Sequence, residues 1–511
     1  MSDLPNGWIP ATLEDIATWS SGGTPSRSNP AYYSGTVPWF KTGELGPRIL
    51  YRSEEHISDE AVSESSAKVF PKGSVAIAMY GATIGKTSIF GIDAATNQAC
   101  AVGVPEATSA EFLYYFLVSQ EKGFVDAGKG GAQPNISQGI VKAWPISLPP
   151  RAEQTRIVAK LEELLSDLDA GVAELELAQK KLAKYRQSLM KAAVEGALTA
   201  EWRTHHKPAE TGAQLLERIL TERRTRWEAK QILKFKEQGK TPPKDWQKKY
   251  PEPVRPDTTD LPDLPERWVW ASIEQIASDE RYSLSIGPFG SNLKVPDYRD
   301  SGVPLVFVRN IRSGKYGGGH TKYVTSEKAI ELSAHIVTAG DVLVTKMGEP
   351  PGDANVYPDD QPPAIITADC IKIRCWPDLM SPVFLKSVVN SNIGKRQIEP
   401  MTQGVAQKKV SLGRFSSLAV PVPPAVEQAL IVRLVNEADR DAAEQITAIE
   451  LSLKQSTAQR KNILRTAFAG QLVPQDPNDE PASVLLERIR AERNASAYAK
   501  NSRGRRRLHE V

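Results

Sequence analysis

Lys86 and Thr87 close a glycine loop, Gly81-Ala82-Thr83-Ile84-Gly85-Lys86-Thr87, whose residue types suit a phosphate cradle. The spacing does not. A nucleotide-binding loop needs Gly-x4-Gly-Lys, and here Tyr80 stands where the first glycine belongs. The matching stretch later in the chain, Met347-Gly348-Glu349-Pro350-Pro351-Gly352-Asp353, has no lysine. No Asn/Asp-Pro-Pro-aromatic signature of adenine methylation occurs, nor a Pro-Asp followed by Glu-x-Lys as in many nucleases. His205-His206 lack an obvious third metal ligand and read as an exposed helix end. Cys100, Cys370 and Cys375 form no Cys-x-x-Cys pair, so neither zinc nor a disulfide framework is expected. They read as buried small hydrophobes in a reducing, cytoplasmic setting. No catalysis is expected of this chain alone.

The elements that position side chains are repeated. Residues 4–17 (LPNGWIPATLEDIA) return at 264–277 as LPERWVWASIEQIA, identical at seven of 14 positions. Pro149-Pro150-x-x-Glu153-Gln154 returns as Pro423-Pro424-x-x-Glu427-Gln428, and RQSLMKAAVEGAL at 186–198 as RKNILRTAFAGQL at 460–472. Leu215 to Ile219 returns as Leu485 to Ile489. The order is kept, so the chain is a tandem duplication. Each half opens with a globular stretch rich in Gly, Pro and short β-prone runs, at 1–150 and 264–424, expected to be α/β with a mixed sheet.

After each Pro-Pro step comes a heptad pattern, at 151–200 and 425–472. In the first, Ile157, Leu161, Leu164, Leu168, Gly171, Leu175, Ala178, Leu182, Tyr185, Leu189 and Ala192 follow a 4/3 spacing. In the second, Ile431, Val435, Ala438, Ala442, Ile446, Ile449, Leu453, Ser456, Arg460, Ile463 and Ala467 do the same. The expectation is two long helices paired as an antiparallel coiled coil, each seam spanning on the order of 50 Å. Residues 201–263 are expected to be a basic helix and an extended Pro-rich linker, and 473–511 a short helix with a disordered basic tail, Arg503 to Arg507.

Net charge is only +3 over 511 residues. Residues 201–250 hold 13 Lys+Arg against 7 Asp+Glu, and 481–511 hold 8 against 3, while 1–150 hold 10 against 14. That is too little for an indiscriminate nucleic-acid binder. No apolar stretch of about 18 residues argues for a membrane span, and Met1 to Pro5 do not read as a signal peptide.

These motifs, in this order, resemble the specificity subunits of type I restriction-modification systems. The resemblance runs through Leu4-Pro5-x-Gly7-Trp8, Gly22-x-x-Pro25, Val37-Pro38-Trp39, the Gly81 to Lys86 loop and Asn97-Gln98. It ends on the Pro-Pro-x-x-Glu-Gln helix start and the Ala193-x-x-Gly196-x-Leu198 helix end, and then repeats. Arg267 replaces the opening glycine in the second copy, and Asp369 stands near where Gln98 would fall. The resemblance implies two target-recognition domains, each reading one half of a bipartite site in double-stranded DNA. It implies that the helices set the spacing and dock two methyltransferase subunits, which carry S-adenosylmethionine. A motor-nuclease subunit joins in systems that cleave. This chain would bind no cofactor.

Base edges are read by Arg or Lys at guanine and Asn or Gln at adenine. Loops with these types supply the candidates Lys41, Thr42, Lys86, Thr87, Asn97, Gln98, Gln133 and Asn135 in the first half. The second half offers Arg309, Asn310, Arg312, Lys346, Gln403, Lys408 and Lys409. For docking and spacing the candidates are Glu153, Gln154, Leu164, Leu175, Leu182, Glu427, Gln428, Ile449 and Leu453. The alternative is a coiled-coil DNA-binding scaffold or repressor that works without a modification partner.

Overall fold

The computed structural model describes residues 4–128, 134–404 and 408–507. The chain divides into two compact units, one of Met1–Leu177 with Ile449–Val511, the other of Ala178–Ala448. Each unit therefore contains one globular stretch, part of each long helix, and the segment that follows the other half's helix.

In the first unit, strand Ile9–Thr12 pairs antiparallel with Pro145–Leu148 and closes the globular stretch on itself. A five-stranded sheet has the order Ala17–Ser21, Cys100–Pro105, Val75–Ala78, Thr87–Phe90, Ile49–Leu50. Its last pairing is parallel and the others antiparallel, so the sheet is mixed. A second sheet sets Glu55–Ile57, Val37–Phe40, Ala94–Thr96 and Val69–Phe70 side by side. Val75–Ala78 is buried at every position, as its unbroken apolar run demands. Helix Ala110–Ser119, capped by the Ser109 hydroxyl, adds Phe112, Leu113 and Phe116 to a core shared with Val75 and Ile77.

The second unit is laid out in the same order. Val269–Ser272 pairs with Ala419–Val422. One sheet runs Leu284–Ile286, Cys370–Ile373, Val342–Thr345, Ala354–Val356, and a second runs Tyr323–Val324, Val303–Val306, Ala364–Ile366, Ile336–Val337. Helix Pro382–Asn390 buries Phe384, Leu385, Val388 and Val389. All three cysteines are free and buried, and burial pushes the Cys100 and Cys370 thiols up to about 12.

The long helices are Arg151–Val194 and Ala425–Phe468, 44 residues each, starting directly after the Pro-Pro steps. In the first unit Ile157, Leu161 and Leu165 share a core with Ile463, Leu464 and Ala467, and Arg460 is ion-paired to Asp169. In the second unit Ala193 and Val194 share a core with Ile431 and Val435, and Arg186 meets Asp439 at 2.9 Å. Along the second helix all 11 heptad positions are buried or half-buried. Along the first helix the pattern drifts. Gly171, Ala178 and Tyr185 are exposed, while Leu165, outside the expected seam, is buried.

The repeated helix ends have a steric reason. Gly196 and Gly470 adopt φ +78° and +71°, the left-handed conformation that terminates a helix. A Cβ at Gly196 would lie 2.5 Å from Pro265, and one at Gly470 would lie 2.4 Å from Pro5. The opening Leu-Pro of each globular stretch thus seats on the glycine of a helix end.

Two expectations need correction. The basic tail is helical: Ala482–Arg507 is one helix and takes in Arg503 to Arg507. The Pro-rich segment is not simply extended. It holds a 3-10 turn, Trp246–Lys249, where Trp246 stacks on Trp227 of helix Gly212–Glu237.

Candidate nucleic-acid interface

In the first unit backbone hydrogen bonds gather five segments at one end of the sheets. Gly22 N–H donates to Cys100 O at 3.2 Å and Gly23 N–H to Thr96 O at 2.8 Å. Asn97 N–H donates to Phe40 O at 3.1 Å, Met79 N–H to Ala99 O at 2.9 Å, and Ile136 N–H to Met79 O at 2.9 Å. A bridge joins Tyr80 to Asn135. A Cβ on Gly22 would come within 2.1 Å of the Thr96 hydroxyl, so glycine alone permits this crossing.

The cluster exposes Gln98, whose amide oxygen accepts from the Thr24 hydroxyl, together with Asn135, and Tyr80 at 47% exposure. Lys86 is exposed on the neighbouring loop. The other candidates there are committed elsewhere. Thr87 is buried and its hydroxyl donates to Gly85 O, so it cannot reach a base edge. Lys41 is held by Glu54 and Glu55, both at 3.0 Å, and these carboxylates raise its pKa. Asn97 is half-buried and accepts from the Cys100 thiol, while Thr42 opens a 3-10 turn and is half-buried. Gln133 lies outside the described residues. The glycine loop is no phosphate cradle. It runs into strand Thr87–Phe90, where a nucleotide loop must open a helix.

The second unit gathers the matching segments. Gly287 N–H donates to Cys370 O at 3.1 Å, Thr367 N–H to Val306 O at 3.0 Å, and Lys346 N–H to Asp369 O at 2.7 Å. Val410 N–H donates to Lys346 O at 3.1 Å, and a bridge joins Met347 to Lys409. Lys346, Lys408, Lys409 and Phe289 are thereby brought together, with the Lys346 ammonium 5.4 Å from the Phe289 ring centre. Gln403 is exposed beside them on a strand paired with Lys409.

Three arginine and asparagine candidates serve the fold instead. Arg312 is tied to Asp353 at 2.8 Å and to Pro350 O at 3.2 Å. Asn310 caps its own turn, accepting from Phe307 N–H and donating to Lys315 O. Arg309 stacks on Phe307 and donates to His320 O.

The docking candidates divide the same way. Glu153, Gln154, Glu427 and Gln428 are buried. Trp8 Nε1 donates to Glu153 and Trp268 Nε1 to Glu427, both at 2.9 Å. Gln154 donates to Ala107 O and Pro149 O, and Gln428 to Leu379 O and Pro423 O. These four lock each globular stretch to its helix and offer nothing to a docking partner. Leu164, Leu175, Leu182, Ile449 and Leu453 are half-buried on the helices. Sequence reasoning missed the outward residues Leu177 and Leu451, 51% and 54% exposed, because they lie off the heptad seam. It missed Tyr80 and Phe289 because aromatic side chains were not sought.

Among the described residues no group of three or more His, Cys, Asp or Glu could hold a metal, and no helix is long and apolar enough to cross a membrane. His206 stacks on Trp202 at 4.7 Å.

Two mixed α/β units thus each gather a loop cluster of polar and aromatic side chains. Residues 5–177 match the family described as the type I restriction modification DNA specificity domain. Over its length the chain is similar to specificity subunits of type I restriction enzymes. It is 26% identical to the EcoDI specificity subunit of Escherichia coli over 518 residues, covering 98% of each chain. Against the EcoKI specificity subunit of Escherichia coli strain K12 the identity is 23%, again over 98% of each. Among solved structures, a chain reported under "Structural basis underlying complex assembly and conformational transition of the type I R-M system" superposes with TM-score 0.64 at 17% identity. That match covers 92% of this chain and 100% of the other. The HsdS subunit from Thermoanaerobacter tengcongensis gives TM-score 0.50 at 17% identity, over 92% and 98%. These two likenesses concern the fold.

Proposed function

We propose that the chain reads a bipartite site in double-stranded DNA, one half through each loop cluster. The single observation that carries this is the pair of clusters at equivalent strand ends with unlike chemistry. The first offers amide and phenol groups, Gln98, Asn135 and Tyr80. The second offers ammonium groups and an aromatic ring, Lys346, Lys408, Lys409 and Phe289. Equivalent placement with different side chains is what reading two different half-sites requires. Asn135 and Gln98 suit adenine edges, and the lysines suit guanine edges or phosphates.

The two long helices act as an antiparallel coiled-coil spacer that keeps the half-sites about one helical turn, ~34 Å, apart. Their outward residues, Leu177, Leu451 and Tyr185, are the docking surface for two methyltransferase subunits. Those subunits bind S-adenosylmethionine and methylate adenine, and a motor-nuclease subunit joins through them. This chain itself binds no cofactor and contributes recognition. Its modest charge supports this division, since partners then supply much of the phosphate contact.

The test is to insert one matched heptad into both helices, between Leu182 and Tyr185 and opposite them. The gap between half-sites should lengthen while both half-site sequences stay the same. Altered half-sites with an unchanged gap would refute the division between readers and spacer.

A further inference from the structure

Phe289 is the one exposed phenylalanine among the described residues, with 64% of its surface open to water. Its backbone is not loose. Gly287 and Pro288, directly before it, are buried, and a Cβ on Gly287 would lie 2.0 Å from Thr367 O. The loop turns sharply after the ring, with Asn292 N–H donating to Phe289 O at 2.8 Å. A large apolar ring is thus presented to water from an anchored base. Left in water, such a ring forgoes the stabilisation that burial would give it.

What surrounds it is cationic. The Lys346 ammonium sits 5.4 Å from the ring centre, the Lys346 carbonyl accepts from Val410 N–H, and Gly348 N–H donates to Lys408 O. Among the described residues none of Lys346, Lys408 and Lys409 is in an ion pair, whereas Arg312 and Lys395 both hold Asp353. A protein partner with an apolar socket would not call for a rim of unneutralised ammonium groups. A polyanion with π-faces does, because phosphates meet the lysines while a base meets the ring. At the position matching Phe289 the first unit has Thr24, whose hydroxyl donates to Gln98.

We propose that Phe289 is an aromatic probe that stacks on a base or wedges a base step in the half-site read by the second unit, with Lys346, Lys408 and Lys409 holding the flanking phosphates. The inference rests on the DNA-reading function proposed above. It adds a recognition mode that uses base stacking and duplex deformability where the other unit uses hydrogen bonds.

The test uses the full chain assembled with its methyltransferase subunit and a duplex carrying the motif that this complex methylates. 2-Aminopurine is placed in turn along each half-site. With the wild-type chain, binding should change 2-aminopurine fluorescence at one step of one half-site only. Phe289→Ala should abolish that change and weaken binding on the order of tenfold to a hundredfold. It should leave the salt dependence and the other half-site unaltered, and Phe289→Trp should restore both signals. Lys346→Met with Lys409→Met should lower the salt slope by about one per lysine. Phe289→Ala that binds and methylates like wild type would overturn the proposal. So would loss of methyltransferase assembly in the absence of DNA, which would make Phe289 a subunit contact. A wild-type complex with no chain-dependent motif would instead refute the DNA-reading function itself.

Discussion

At the scale of the residue, the two Glu-Gln pairs do the same task with different electrostatics. Glu153 accepts from Trp8 and from Gln475, both neutral donors, and desolvation raises its pKa. Glu427 accepts from Trp268 and is ion-paired to Arg203 at 2.6 Å, with Thr199 as a further donor. A carboxyl whose folded pKa is raised binds its proton more tightly in the native state, so ionisation at neutral pH weighs against folding there. Glu153→Gln removes that charge, whereas Glu427→Gln strands a partly buried guanidinium. At pH 7 urea melts should show Glu153→Gln near neutral and Glu427→Gln destabilised by about 1–3 kcal/mol. The reverse order would contradict the assignment. This scale was the least legible in the sequence. Residue type picked out loops that the fold gathers into the two clusters, at Gln98, Asn135, Lys346 and Lys409. It could not show that Thr87, Asn310 and Arg312 spend their hydrogen bonds within the fold.

At the scale of the element, the long helices hold through a few buried contacts and not through their whole seams. In the first unit Ile157, Leu161 and Leu165 share a core with Ile463, Leu464 and Ala467, while the ion pair of Arg460 with Asp169 is solvent-exposed. Exposed pairs contribute about 0–1 kcal/mol, and a truncated core leucine costs about 2–5 kcal/mol. Leu161→Ala and Ile463→Ala should each lower stability by about 2–4 kcal/mol. Together they should cost less than the two effects added, because the side chains share one core. Full additivity in denaturant melts would mean that they do not pack together. The second helix was readable position by position, since Ile, Val, Leu and Ala fill a regular 3/4 register. The first drifted where Gly171, Ala178 and Tyr185 met the heptad rule but gained no cover. A sequence gives the period of a helix, and neighbours decide which of its faces is covered.

At the scale of the whole molecule, the duplication in the sequence was plain, and the composition of the units was not. Reading along the chain gives a globular stretch followed by its own helix. The compact units instead combine residues 1–177 with 449–511, and 178–448. Trp8 and Glu153 meet Gln475, and Trp268 and Glu427 meet Arg203, so each globular stretch is clasped by the segment that follows the other half's helix. The motifs that carry the resemblance, Leu-Pro-x-x-Trp, Pro-Pro-x-x-Glu-Gln and the terminal glycine, are parts of that clasp. They fix the frame that carries the loops. The most direct test of the account is a methylome: the neighbouring methyltransferase is expressed in a methylation-free host with and without this chain, and methyladenine is mapped by single-molecule sequencing. The account predicts an asymmetric two-part motif that appears only with the chain. A motif that is unchanged by the chain's removal, or no motif from a demonstrably active methyltransferase, would contradict it.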